Sequence, residues 1–305
     1  MSQVLTTGAT GLVGSRFVDL YAKRFPTSNM DLTTGVNITD RDSIEKFVTA
    51  NPADILIHLA AFTDTNKAFA ESGNQKGLCY QVNVVGTRNI AAVCEAHGIH
   101  LIHVSTDFVF DGQKSAPYIE TDPVSPLEWY GETKALAEKV VQDSGVHSTI
   151  LRIAYPYRAN YALKPDIIGK IRTGLETGKL YPQFVDTVIT PTFIDDIAAA
   201  FAKVIELKPS GIFHIVGSDA LSPYELAKKV AVAYGFDPSL VQEGSLTEYL
   251  KTARLASTSN GESRRASRPF ARHVALSNAK ATKQLGLNFR GIDEGIAELK
   301  IQQNL

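Results

Sequence analysis

The chain has 305 residues and a mass of 33.1 kDa, a length that fits one large domain or two smaller ones. Hydrophobic residues make up 44% and charged residues 21% of the sequence, and no apolar run approaches the roughly eighteen residues of a membrane span. This composition excludes disordered, collagen-like and membrane-spanning classes. The 31 basic and 32 acidic side chains provide no long-range field that would attract nucleic acid or an anionic membrane surface.

The cysteines and the N-terminal residues indicate the cellular setting. Cys79 and Cys94 are too few for a disulfide scaffold or a zinc cluster, so we expect two buried free thiols. No charged segment followed by an apolar stretch precedes the first predicted strand. We therefore expect a cytoplasmic protein.

Short apolar runs alternate with helical patterns along the chain, and each run is short enough to be a strand buried on both faces. The predicted strands cover residues 3–7, 30–34, 54–59, 101–105, 149–154 and 212–216. The predicted helices cover residues 13–24, 41–51, 83–97, 129–144, 193–207, 223–234 and 293–302. Strand, helix and strand in succession imply right-handed crossovers, so the pattern predicts a Rossmann-type α/β fold with a doubly wound parallel sheet.

The second half of the chain is less regular and indicates a second, smaller domain. We expect a dinucleotide-binding domain over residues 1–153, with residues 192–219 returning to its sheet. Residues 154–191 and 220–305 are expected to form a C-terminal α/β substrate-binding domain. Residues 251–268 are rich in Ser and Arg and have no apolar periodicity, which predicts a surface loop.

A glycine-rich turn follows the first predicted strand. Gly8, Gly11 and Gly14 have the spacing G-x-x-G-x-x-G and lead directly into a predicted helix. A dinucleotide pyrophosphate needs close approach of the backbone and a helix start with free N–H groups. The position of the turn between a strand and a helix therefore favours cofactor binding over a purely structural turn.

The end of the second predicted strand bears on the choice of cofactor. An acidic residue there favours NAD because it bonds the ribose 2′-hydroxyl, whereas an Arg favours NADP. Asp31 is the only acid near this strand end. The direction of its side chain does not follow from the sequence, so both NAD and NADP stay open.

A Thr, a Tyr and a Lys carry the catalytic hypothesis. Thr106 follows the predicted strand that ends at Ser105, and Tyr130 and Lys134 lie one turn apart on one face of a predicted helix. A phenol is a poor acid or base at neutral pH, but a nearby ammonium lowers its pKa. The spacing also occurs on ordinary surface helices, and the preceding glycine turn and Thr106 make the catalytic interpretation the better one.

Two further features invite a ligand. His97, His100 and His103 recur every third residue, but they span a helix end and a strand, so we expect structural roles and no metal site. Residues 251–273 are strongly basic but contain a single aromatic residue, Phe270, which argues against nucleic-acid binding. We expect instead that Arg268 contacts an anionic ligand, with a solvated basic loop as the alternative.

Together these motifs resemble the extended short-chain dehydrogenase/reductase family, and within it the dTDP-4-dehydrorhamnose reductases. The resemblance covers nearly the whole chain. It rests on STDFVFDG at 105–112, PYIE at 117–120, YGETK at 130–134, AAFT at 60–63, PT at 191–192, RP at 268–269 and VALS at 274–277.

The resemblance implies NADH- or NADPH-dependent reduction of the C4 keto group of a nucleotide-activated deoxysugar. Tyr130 would protonate the C4 oxygen, Lys134 would tune Tyr130 and hold the nicotinamide ribose, and Thr106 would bond the carbonyl. Substrate contacts are expected from Thr106, Asp107, Tyr155 and Arg268. Tyr155 stands where these reductases commonly have a Trp that packs on the sugar. Cofactor contacts are expected from Gly8, Thr10, Gly11, Leu12, Val13, Gly14, Asn37, Ile38, Leu59, Ala60, Ala61, Thr63, Tyr130 and Lys134.

Several alternatives accompany this hypothesis. The related 4,6-dehydratases use Thr-Asp-Glu where this chain has Thr106, Asp107 and Phe108, so the expected base is missing. An epimerase that retains its NAD shares the same catalytic residues. A non-catalytic regulatory subunit of a methionine adenosyltransferase is similar in sequence as well. The oligomeric state is open, with a homodimer as one alternative.

Overall fold

The computed structural model describes residues 3–252 and 268–304, and a sheet of six parallel strands lies at its centre. The strands are β1 (Val4–Thr7), β2 (Thr27–Asn29), β3 (Ile55–His58), β4 (His100–Thr106), β5 (Ser148–Ile153) and β9 (Gly211–Ile215). Their order in the sheet is β2-β1-β3-β4-β5-β9. Four short strands form two separate parallel pairs, β6 (Pro156–Tyr157) with β8 (Thr192–Phe193) and β7 (Gln183–Phe184) with β10 (Glu243–Gly244). The predicted doubly wound parallel sheet is confirmed.

Helices cover both faces of the sheet and fill the rest of the molecule. They are α1 (Leu12–Tyr21), α2 (Arg41–Ala50), α3 (Thr65–Ala70), α4 (Leu78–Tyr80), α5 (Thr87–His97), α6 (Trp129–Asp143), α7 (Ile167–Glu176), α8 (Ile194–Leu207), α9 (Pro223–Ala233), α10 (Ala279–Leu285) and α11 (Ile292–Gln303). A π-helical turn over Gln81–Gly86 joins α4 to α5. Among the described residues, no helix is both long and apolar enough to cross a bilayer.

Neighbouring residues of the central strands point to opposite faces of the sheet. Leu56 and Leu101 pack towards α2, α5 and α6, whereas Ile57 and Ile102 pack towards α1, α8 and α10. All four side chains are fully buried. Because both faces are covered, the strands are apolar throughout, and this is why they appear in the sequence as continuous apolar runs.

A second hydrophobic core lies outside the sheet. It joins Ile171 of α7, Leu226 of α9 and Ile296 of α11, together with residues of the short strands. Strand β9 meanwhile pairs with β5 in the main sheet, in the register that places Ile153 opposite Ile215. The division into a cofactor domain and a substrate domain stays a prediction.

The second predicted strand is wrong in position. The sequence predicts a strand over residues 30–34, whereas β2 ends at Asn29 and Leu32–Thr34 forms a single 3-10 turn. The turn is closed by the Thr34 hydroxyl, which accepts a hydrogen bond from the Asp31 N–H (2.9 Å), and Gly35 follows with a φ of 80°. Local side-chain bonds to the backbone therefore replace the expected strand here.

The sequence prediction also lacks helix α7, although Asp166 caps this helix by accepting a hydrogen bond from the Gly169 N–H (2.9 Å). The predicted loop over 251–268 lies mostly outside the described residues, and residues 251 and 252 belong to a helical segment that begins at residue 246. The two cysteines are buried and free, as predicted.

Candidate active site

A cleft of about 850 Å³ opens at the carboxyl ends of the central strands. Strands β2 and β3 lie on opposite sides of β1, so the cleft lies at the point where the strand order reverses. Ligands of open α/β sheets bind in such a crevice, and the volume lies within the range of small-molecule sites.

The glycine turn forms one wall of the cleft. Gly8 has a φ of 73°, and a Cβ on it would lie 2.9 Å from the backbone nitrogen of Ala60. A Cβ on Gly14 would collide with the Gly8 carbonyl oxygen and lie 2.8 Å from the Cα of Ala9. The turn therefore accepts no side chain at these two positions, and the backbone is free to approach a ligand.

The first turn of α1 faces the same space. Its N-cap residue, Gly11, provides no side chain to bond the N–H groups of that turn. Free N–H groups at a helix start attract an anion. This wall therefore fits the pyrophosphate of a dinucleotide.

The residues that line the cleft include every cofactor residue expected from the sequence, namely Gly8, Thr10, Gly11, Leu12, Val13, Gly14, Asn37, Ile38, Leu59, Ala60, Ala61, Thr63, Tyr130 and Lys134.

Thr106, Tyr130 and Lys134 meet at the opposite wall. Thr106 is the last residue of β4, and its hydroxyl donates a hydrogen bond to Asp107 Oδ1 (2.9 Å). Tyr130 and Lys134 project from the first two turns of α6, which Glu128 caps by accepting from the Gly131 N–H (3.1 Å). Nζ of Lys134 donates to the Val104 carbonyl (2.7 Å), so the chain fixes one side of the ammonium.

Burial sets the protonation of these groups. It raises the pKa of Tyr130, and the nearby Asp107 carboxyl raises it further, while a hydrogen bond with Thr106 opposes the rise. Burial lowers the pKa of Lys134 to about 8 and raises that of Asp107 to about 7. The sequence argument expected Lys134 to lower the pKa of Tyr130. In the structure burial outweighs any such effect, and Tyr130 is held as a protonated phenol that can donate.

A second group of side chains lies beside Tyr130. Arg268 places its guanidinium carbon 4.4 Å from the ring centre of Phe270, and its Nη1 lies 3.9 Å from Glu128 Oε2. Within the part of the chain that the structure describes, Nε and Nη1 of Arg268 are buried and have no hydrogen-bond partner. The same holds for Oδ2 of Asp107. Buried polar atoms without partners are costly, which points to a polar ligand here.

Tyr155 completes this group in an unusual backbone conformation. Its φ is 42°, which is rare for a bulky residue. Burial raises the pKa of its phenol, Asp107 adds to the rise and the charge of Arg268 opposes it. Thr106, Asp107 and Tyr155 line the cleft, whereas Arg268 lies outside its lining.

The sequence does not predict that Tyr161, residues 164–166 and Lys170 line the cleft. Arg158 donates to Ser15 Oγ (2.8 Å) and to the Leu12 carbonyl (3.2 Å), and the Tyr161 hydroxyl reaches the Thr10 carbonyl (3.4 Å). These bonds fasten the segment to the glycine turn. No local sequence pattern predicts these contacts, because the partners of Arg158 lie about 140 residues earlier in the chain.

Asn83 was missed as well. Its Oδ1 accepts from the Phe62 N–H (2.8 Å) and its Nδ2 donates to the Thr133 hydroxyl (2.9 Å), so it ties the loop after β3 to α6. Asn83 is buried within the π-helical turn. A buried Asn inside a predicted helix is a signal that could have found it.

The three histidines make separate contacts. Nε2 of His97 lies 2.5 Å from Glu45 Oε1, and Nε2 of His100 lies 2.9 Å from the Thr149 hydroxyl. His103 is buried, with its Nε2 3.5 Å from Nζ of Lys134. No group of three metal-ligating side chains occurs among residues 3–252 and 268–304.

With this geometry in place, similarity to known proteins becomes informative. A family model described as "RmlD substrate binding domain" matches residues 1–302. The chain belongs to this family.

Three relatives illustrate the range of similar proteins. The dTDP-4-dehydrorhamnose reductase of Mycolicibacterium smegmatis is 30% identical over 79% of this chain and 72% of that protein. Methionine adenosyltransferase 2 subunit beta of Mus musculus is 30% identical over 78% of this chain and 73% of that protein. The crystal structure of a dTDP-4-dehydrorhamnose reductase from Clostridium acetobutylicum superposes with a TM-score of 0.84 at 25% identity, covering 99% of this chain and 100% of that one.

Proposed function

We propose that this chain uses NADH or NADPH to reduce the C4 keto group of a nucleotide-activated deoxysugar. The observation that carries the proposal is a partly buried, protonated Tyr130 beside Thr106 and Lys134, in a cleft whose other wall is a glycine turn shaped for a dinucleotide. The smegmatis and Clostridium relatives carry the name of such a reductase.

The cofactor wall would hold the dinucleotide through its backbone. N–H groups of the first turn of α1 would bond the pyrophosphate, and Asn37 and Ile38 would lie beside the adenine. Ala60, Ala61 and Thr63 would contact the middle of the cofactor. When bound, the reduced nicotinamide supplies a hydride to the sugar C4.

The chain's own residues supply the proton and the orientation. Thr106 would turn its hydroxyl proton from Asp107 to the keto oxygen, and Tyr130 would transfer its phenolic proton to that oxygen as negative charge develops there. The ammonium of Lys134 would stabilise the resulting phenolate, because one of its three N–H groups stays available after the bond to the Val104 carbonyl and the 3.5 Å contact with His103. Solvent would then return the proton to Tyr130 before the next turnover.

The side chains beside Tyr130 would bind the rest of the substrate. Nε and Nη1 of Arg268 have no hydrogen-bond partner among the described residues, and the guanidinium would bond the diphosphate. Asp107 and Tyr155 would contact the sugar. The ring of Phe108 packs edge-on against Tyr130, with 5.5 Å between centroids, where a 4,6-dehydratase would carry a carboxylate. This arrangement supports reduction over dehydration.

The direct test is a stoichiometry measurement with purified protein, NADH or NADPH, and a dTDP-4-keto-6-deoxyhexose. A reductase oxidises one added cofactor for each sugar reduced. An epimerase that retains its NAD would convert the sugar without net oxidation of added cofactor, and that result would replace the proposal. Failure to convert any keto-sugar, with cofactor still bound, would contradict the proposed reaction.

A regulatory subunit is the second candidate, and the similarity to the mouse subunit supports it. A stable stoichiometric complex with a methionine adenosyltransferase, together with absence of keto-sugar reduction, would favour this role. The intact set of Thr106, Tyr130 and Lys134 supports the enzyme instead. The two-domain division, the cytoplasmic location and the homodimer expected from the sequence are also retained as proposals.

A further inference from the structure

The residue that follows β2 is held in a fixed position beside the glycine turn. Asp31 Oδ1 accepts a hydrogen bond from the Gly8 N–H (2.8 Å), and Asp31 Oδ2 accepts from Nδ2 of Asn29 (2.7 Å). The Asp31 N–H in turn donates to the Thr34 hydroxyl (2.9 Å). These three bonds fix both the backbone and the carboxylate of Asp31.

This fixed carboxylate faces the adenosine end of the cleft. Asp31 lines the cleft together with Leu32 and Thr33, next to Asn37 and Ile38. Strand β2 neighbours β1, and the residue after it occupies the place from which Rossmann folds read the adenosine ribose. The direction that the sequence left open is therefore set by the bond to Gly8.

Positive charge is scarce around Asp31. Among the described residues that line the cleft, the cations are Lys134, Lys164 and Lys170. Lys134 lies beside Tyr130, and the other two are exposed residues of the separate segment that bonds Thr10. Arg16, the first arginine after the glycine turn, donates from Nε and Nη2 to the two carboxylate oxygens of Asp195 (2.6 and 2.8 Å). The guanidinium of Arg16 is therefore already paired with Asp195.

We propose that Asp31 makes this chain select NADH over NADPH. Its carboxylate accepts a hydrogen bond from the 2′-hydroxyl of the adenosine ribose, and it repels the dianionic 2′-phosphate that replaces this hydroxyl in NADPH. No cation of the β2 segment, residues 27–38, offsets the repulsion, because that stretch contains no Lys or Arg. The inference rests on the proposed function only in taking a nicotinamide dinucleotide as the cofactor.

The test measures equilibrium binding, which needs no substrate and no turnover. Dissociation constants for NADH and NADPH are determined by nicotinamide fluorescence on the full-length protein, Asp31→Asn and Asp40→Asn. Asn at position 31 keeps an oxygen for the Gly8 N–H and removes the charge. Asp40→Asn removes the same charge from an exposed residue outside the cleft, where Asp40 caps α2.

The wild-type protein is expected to bind NADH at least about tenfold more tightly than NADPH, since hydrogen bonds to charged groups contribute effects of this size. Asp31→Asn is expected to reduce that ratio about tenfold or more, mainly by tightening NADPH binding, and Asp40→Asn is expected to leave it unchanged. Because the readout is a ratio, a general loss of folded protein does not move it.

Three results would overturn the inference. Equal or tighter binding of NADPH by the wild type would do so, as would a ratio that is the same in Asp31→Asn and wild type. Both leave the reductase proposal intact. Binding of neither cofactor would overturn the inference and the proposed function together, whereas selective NADH binding without reduction of any keto-sugar would remove only the proposed function.

Discussion

The two walls of the cleft differ in how their residues are brought into position. At the cofactor wall, Gly8, Gly11 and Gly14 lie within seven residues, and the turn between β1 and α1 places them. On the substrate side, Glu128 and Arg268 lie 140 positions apart, and only the folded chain brings Arg268 Nη1 within 3.9 Å of the Glu128 carboxylate. A local motif therefore defines the cofactor wall, whereas long-range packing defines the substrate wall.

A change at Gly14 should give the largest effect on cofactor binding and damage the cofactor wall alone. In Gly14→Ala the new Cβ meets backbone atoms of Gly8 and Ala9, so the turn must shift. We expect about 100-fold weaker binding of NADH, since a displacement of about 1 Å at a positioning group can cost that much. The free energy of unfolding should fall by roughly 1–3 kcal/mol through overpacking.

Gly169→Ala is the matched control. Its Cβ would meet its nearest neighbours at an ordinary 3.6 Å, near the start of α7. Calorimetric titration with NADH and thermal unfolding are measured on both variants. NADH affinity in Gly14→Ala equal to that of the control would contradict the role given to the turn.

A change at Arg268 should affect the substrate wall alone. Arg268→Ala removes a guanidinium whose Nε and Nη1 have no partner in the part of the chain that the structure describes, and we expect dTDP to bind roughly 10-fold to 100-fold more weakly. Arg268→Lys keeps the charge without the planar fork and should give an intermediate loss. NADH affinity should stay unchanged in both variants.

Arg272→Ala provides the control for that experiment. Arg272 is an exposed residue that donates from Nη2 to the Thr247 hydroxyl (2.9 Å). Its removal should leave dTDP affinity unchanged. If Arg268→Ala binds dTDP as tightly as Arg272→Ala does, Arg268 does not bind the diphosphate.

The pH dependence of kcat/KM should show a smaller effect, which reports the charge of Lys134. Burial lowers the pKa of Lys134 to about 8, so its charged form is lost as the pH rises above that value. The phenolate of Tyr130 then loses its stabilising cation, and kcat/KM should fall on the alkaline side. Lys134→Arg keeps its charge at every accessible pH and should abolish this alkaline limb. An unchanged limb in Lys134→Arg would assign it to another group.

The sequence is informative where structure is local or periodic. The continuous apolar runs predict the sheet because Leu56 and Ile57 are buried on opposite faces, and the spacing of Tyr130 and Lys134 predicts their common face on α6. The glycine spacing predicts the turn for the same reason. Each of these patterns lies within one or two elements.

The sequence is uninformative where side chains bond across the fold. The predicted strand over 30–34 failed because Thr34 and Asp31 close a turn by local hydrogen bonds, which apolar periodicity does not detect. Arg158 bonds residues of α1, and no motif reports this contact. The raised pKa of Tyr130 also depends on burial, which spacing alone does not give.

The central claim is that Tyr130 donates the proton in keto-sugar reduction. It is tested most directly by comparing Tyr130→Phe with Tyr161→Phe, which removes a hydroxyl from another tyrosine of the same cleft. Oxidation of NADH by a dTDP-4-keto-6-deoxyhexose is followed at saturating cofactor, and NADH affinity is measured alongside. We predict a fall in kcat of about 10²-fold to 10⁴-fold for Tyr130→Phe, with NADH affinity retained, and near-normal turnover for Tyr161→Phe. Equal turnover in the two variants would contradict the account.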